Sequence, residues 1–74
     1  MLIPNKTLGK NIAHYRKERQ LTQDELAAII GLWPRYLSDV ESGRKIPRIP
    51  TIAQLVVGLG VSIEELVGIE FKGG

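Results

Sequence analysis

The 74-residue sequence predicts an all-α fold of five short helices. Three observations carry that prediction. Two capping-box signatures are present, Thr22 with Glu25 and Ser62 with Glu65. In each, a hydroxyl and a carboxylate three residues apart satisfy one another's free backbone donors at a helix start. Apolar residues recur three and four apart, the repeat of a helical stripe, at Leu26 and Ile30, Leu37 and Val40, and Leu55 and Leu59. Finally, Gly31, Gly43, Pro34, Pro47 and Pro50 stand where helices would end or begin.

Taken in order, residues 1–6 form an arm, and Asn5 or Thr7 supplies the first cap. The first helix is expected over 6–19, with Leu8, Ile12 and Tyr15 inward and Leu21 joining them just beyond. Lys10, Lys17 and Arg19 fall on the solvated side. The second helix is expected over 23–30, capped by Thr22 and buried through Leu26, Ala27 and Ile30. Gly31 closes it, because glycine enters the left-handed conformation at little cost. The third helix is expected over 34–42. Pro34 suits its first turn, where the missing N–H is not needed. Leu37 and Val40 face inward, and Arg35, Ser38 and Asp39 share the opposite side at i, i+3, i+4. Gly43 and the loop RKIPRIP follow, kept extended by the prolines. The fourth helix is expected over 50–58, burying Ile52, Leu55, Val56 and Leu59. Ser62 caps the fifth, from which Ile63, Leu66 and Val67 are expected to pack inward. A tail over 68–74 ends in two glycines.

Composition narrows the functions. The length suits one small domain with a limited core. Without cysteine there is no disulfide and no thiolate metal site. No apolar run approaches a membrane span, and the first residues are too short for a signal peptide. The single histidine, His14, lies beside the inner stripe, where it reads as a surface residue. Glu64 and Glu65 are adjacent, so on a helix they diverge, and they suit the positive end of the helix dipole. No phosphate loop, metal-ligand cluster or nucleophile–base pair is apparent. Enzyme, metal and cofactor are therefore not expected. The net charge is only +2, but residues 1–48 carry +4 and the remainder −2. One face is expected towards a polyanion and one away from it.

Two amphipathic helices joined by a glycine turn, the second with a polar outer face, have the layout of a helix-turn-helix. The chain from 8 to 67 resembles the DNA-binding domain of phage Cro and repressor proteins, the XRE family. LGKNIAHYRKERQLTQDELA, Gly31, LSDVESG, Pro47 and LGVSIEEL carry the likeness, in that order. The resemblance implies a five-helix lambda-repressor-like domain that binds double-stranded DNA as a transcriptional regulator, a repressor, in a prokaryotic or phage-infected cytoplasm. It implies a homodimer on a pseudo-palindromic operator, joined through the loop before the fifth helix and the C-terminal segment. Leu59 to Val61 and Val67 to Phe71 would supply that surface; the other reading folds the tail back over the first helix. Two further classes stand beside it: an antitoxin that binds a toxin and its own operator, and an adaptor that binds only proteins.

By the same resemblance, Trp33, Arg35, Ser38 and Asp39 hold base-reading positions, and Gln23 touches a phosphate. Arg44, Lys45 and Arg48 follow the reading helix and suit phosphates beyond it. Arginine presents two donors that match guanine, and Asp39 is suited to the amino group of cytosine. Its other reading is a pair with Arg35 four residues before it. Trp33 packs on the DNA or covers the core; Tyr36 gives its hydroxyl to a phosphate or fills a partly buried edge. The turn departs from the family, since Leu32, Trp33 and Pro34 stand where small polar residues are usual. Arg16 is expected to pair with Glu41 and tie the first helix to the third; otherwise both are independent surface charges.

Overall fold

A computed structural model describes residues 5–68, with side chains from Thr7 onward. Five helices follow one another: α1 (Asn5–Glu18), α2 (Gln23–Ile30), α3 (Pro34–Glu41), α4 (Ile49–Leu59) and α5 (Ile63–Val67). No strand occurs among the described residues.

Thr22 and Ser62 each accept the backbone N–H three residues ahead at 3.0 Å, while Glu25 and Glu65 accept the cap residue's own N–H at 2.9 and 3.0 Å. Both boxes are complete. Gly31 ends α2 with φ 74°, and its N–H returns to the Ala27 carbonyl. Two amides finish other helix ends. Gln54 donates to the Ile30 carbonyl at 3.1 Å, and Asn11 to the Leu66 carbonyl at 2.9 Å. These bonds occupy carbonyls that a helix C-terminus leaves without partners.

All five helices contribute to one core of Leu8, Ile12, Leu26, Ala27, Ile30, Leu37, Val40, Leu55, Leu59, Val61 and Leu66. Tyr15, Leu21, Leu32, Tyr36, Ile52, Val56 and Val67 pack around it. Gly9 sets the approach of α1 to α3, because a Cβ there would press on the Val40 and Glu41 carbonyls.

Several boundaries and faces differ from the sequence reading. α1 begins at Asn5, so residues 5 and 6 of the expected arm are helical and Thr7 lies within the helix. The rest of the arm lies outside the described residues. α1 ends one residue early, and Gln20 takes a left-handed conformation with φ 56° that closes the turn into Leu21. α4 begins at Ile49, capped by the extended backbone of Arg48, and runs to Leu59. Ile63 was expected inside but is 52% exposed. In a helix of five residues only Leu66 is fully buried, and Val67 packs partly buried against the core. Leu59 and Val61, expected at a dimer surface, are themselves core residues. Gly60 turns left-handed between them and lets the chain fold both inward. Of the remaining tail surface, Ile69 to Phe71 lies outside the described residues.

Candidate nucleic-acid interface

α3 presents the site because its two sides differ in chemistry. Leu37 and Val40 are buried against the core, while Arg35 is largely exposed and Ser38 half-buried. Trp33 precedes the helix with extended backbone and makes no side-chain cap bond. It is 82% exposed, so it does not cover the core. Pro34 starts the helix without needing a donor. The turn thereby leaves an indole and a guanidinium both exposed at the N-terminal end of α3.

The inner edge of α3 is fixed by Glu41, whose side chain is 5% exposed. Arg16 donates to it twice, from Nε to Oε2 at 2.8 Å and from Nη2 to Oε1 at 3.1 Å. The remaining Nη1 of Arg16 donates to the Leu21 carbonyl at 2.7 Å. Gln23, at the first position of α2, donates from Nε2 to Glu41 Oε1 at 3.0 Å. One carboxylate thus receives donors from α1 and α2 and holds both to α3. The Gln23 bond was not foreseen from the sequence; its signal is an amide at the start of α2, whose partner helix is known only once packed. The same amide retains a second N–H for a phosphate.

Beyond α3 the chain stays basic. Arg44, Lys45 and Arg48 are exposed, and the loop that carries them is anchored by buried Pro47. Tyr36 packs its ring against the core, with the Lys45 ammonium 5.7 Å from the ring centre.

Asp39 takes the second of its two expected placements, beside Arg35, and is not a free acceptor. Its side chain is only 11% exposed, and Arg35 lies 3.8 Å away, Arg44 3.8 Å and Lys45 3.9 Å. The sequence holds a hint of this, since one acid stands four residues after an arginine and five and six residues before two cations.

A short helix with exposed Arg35 on its outer side, a second helix packed behind it across a glycine turn, and a basic loop beside it have the layout of a helix-turn-helix DNA-binding domain, the kind used by transcriptional regulators. The chain belongs to the helix-turn-helix family (HTH_3), which it matches over residues 12–66. It is 45% identical over 62 residues to an HTH-type transcriptional regulator of Sinorhizobium fredii, covering 84% of this chain and 80% of that protein. It is 39% identical over 64 residues to the immunity repressor protein of Bacillus phage phi105, covering 86% of this chain and 44% of the repressor. The crystal structure of a restriction-modification controller protein from Aeromonas hydrophila superposes with a TM-score of 0.81 at 27% identity, covering 84% of this chain and 94% of that one. No described helix is long and apolar enough to cross a membrane.

Proposed function

We propose that this chain is a sequence-specific repressor of transcription that seats α3 in the major groove of an operator. The observation that carries this reading is the exposure of Trp33 and Arg35 at the end of α3 where such domains meet base edges. Arg35 offers its paired donors to guanine O6 and N7. Ser38, one turn on, reaches an adjacent base, and the Trp33 indole packs on a thymine methyl. Asp39 acts at the same face through its cations rather than as a lone acceptor. Gln23, Tyr36, Arg44, Lys45 and Arg48 hold phosphates on either side, which fixes register without reading sequence. The likeness to a phage immunity repressor supports repression as the outcome.

One α3 reads few base pairs, so two copies on a pseudo-palindrome, about one helical turn between half-sites, supply affinity and specificity. The described surface suited to pairing is the outer side of α4. There Ile49, Ala53 and Val57 stand at i, i+4, i+8, next to Ile29 of α2, and α4 carries no charge.

Selection of bound duplexes from a random pool tests the reading. A defined motif is expected. Arg35→Ala should then lose about 1–3 kcal/mol per half-site and relax preference at one base pair. Lys45→Ala should weaken every sequence alike and reduce the salt slope by roughly one unit. An Arg35→Ala variant that binds more weakly with its preference intact would remove base reading from this face.

A further inference from the structure

Asp39 is the acid on the outward side of α3; Glu41, the other acid of that helix, faces α1. Its backbone carbonyl accepts the N–H of Arg44 at 2.8 Å, the N–H of Lys45 at 3.2 Å and the Ser42 hydroxyl at 3.1 Å. The start of the basic loop is therefore folded back over this one residue. That fold also delivers the cations to its carboxylate. Arg35 and Arg44 approach Oδ1, and Lys45 approaches Oδ2, from the opposite lobe. All three distances exceed hydrogen-bond length, so the cations are held by charge and not by a fixed donor geometry. Each cation remains mostly exposed while the carboxylate is nearly covered. Phosphate and Asp39 must then compete for the same side chains.

We propose that Asp39 determines specificity by holding Arg44 and Lys45 back from phosphate, so that binding through the DNA backbone alone is penalised. The proposal rests on the DNA-binding reading of α3. On a non-matching duplex Asp39 keeps one of the two cations from its phosphate. On a matching site α3 seats fully, and Arg35, donating to its base, stays beside Asp39 and releases Arg44 and Lys45 to phosphates. The penalty falls harder on the wrong duplex than on the right one. Discrimination by an opposing charge needs no extra contact with the correct partner.

The test compares wild type with Asp39→Asn, Asp39→Ser and Asp39→Glu on a random-sequence duplex, by fluorescence anisotropy across a salt series. The comparison is repeated with Arg44→Gln and Lys45→Gln together. Circular dichroism and thermal melts establish which variants are folded, and the two neutral replacements differ in size so that a packing defect in one does not decide the result. The neutral variants are expected to bind roughly three- to tenfold tighter at about 0.1 M salt. Their salt slope should steepen by about 0.9, the increment for one more neutralised phosphate. Asp39→Glu should stay near wild type, and the gain should vanish in the Arg44→Gln, Lys45→Gln background. A gain that persists there makes Asp39 a general repulsive charge and overturns the proposal, as does unchanged affinity or slope. Failure of the wild type to bind any duplex at low salt overturns the DNA-binding reading, and this inference with it. Wild-type binding without the gain overturns the inference alone.

Discussion

Glu41 shows what a single carboxylate does when three helices converge on it. It is nearly sealed from water and accepts from Arg16 through two parallel bonds and from Gln23 through a third. Desolvating two charges is costly, so the pair need not raise stability above that of a well-packed apolar substitute. Removing one half is a different matter, because the other charge is then stranded. Glu41→Ala is expected to lose about 3–5 kcal/mol in chemical denaturation. Replacing Arg16 and Glu41 together by apolar residues should recover much of that loss. If the double variant were as unstable as the single one, the pair itself would be contributing net stability. Asp39 and Glu41 are two residues apart on one helix, yet one is ringed by exposed surface cations and the other by hydrogen-bonded donors. Identity and helical phase foretell the side of the helix each occupies. They do not foretell how far a following loop folds back to cover one of them.

At the scale of the element, short-range chemistry was the most legible part of the chain. Hydroxyl and carboxylate three residues apart specify a helix start locally, and both capping boxes form as the residue pattern predicts. The same local logic fails where tertiary neighbours decide. Ile63 has the composition of a core residue, but a helix of five residues has too narrow a buried stripe to include it. Val61 was read as surface because its burial depends on the left-handed turn at Gly60. The capping boxes also carry a pH dependence. Hydrogen bonds from the Thr22 and Ser62 backbone, and then from their hydroxyls, hold Glu25 and Glu65 below the ordinary carboxylate value of 4.5. A depressed folded-state value stabilises the fold above the unfolded value, and the contribution disappears as pH falls through the folded one. Stability is therefore expected to decline below about pH 4.5, and Glu25→Gln with Glu65→Gln should flatten that part of the acid titration. Thr22→Ala should lose about 1 kcal/mol at neutral pH, read from the melting temperature. An acid limb unchanged in the double Gln variant would assign it to other carboxylates.

For the whole molecule, the arrangement sets two different surfaces around one core. α3 and its loop carry Arg35, Arg44, Lys45 and Arg48, the core fills the space between all five helices, and α4 turns a neutral apolar row outward. Ile49 and Val57, at 81% exposure each, add nothing to the core. A charge at that row should leave the fold intact and act on assembly. Val57→Asp is expected to shift sedimentation towards the monomer and to weaken binding to a two-half-site operator, with the melting temperature nearly unchanged. A variant that still sediments as a dimer would place the interface elsewhere. The outward placement of Trp33 and Arg35 was legible because it follows from the turn and the helical repeat. The exposed apolar row of α4 was not, because a sequence shows which residues are apolar but not which of them the core has no room to take.

Trp33 has a consequence for spectroscopy. It is the chain's one tryptophan, and it stands in water at the N-terminal end of α3, apart from the core. An indole that is already hydrated changes its emission little when the protein unfolds. Intrinsic fluorescence from this protein will therefore be a poor thermometer of its folding and a direct reporter of what touches α3. A melt followed by emission would look shallow while circular dichroism recorded full cooperative loss of helix. Quenching at constant temperature would record occupancy of the N-terminal end of α3 alone.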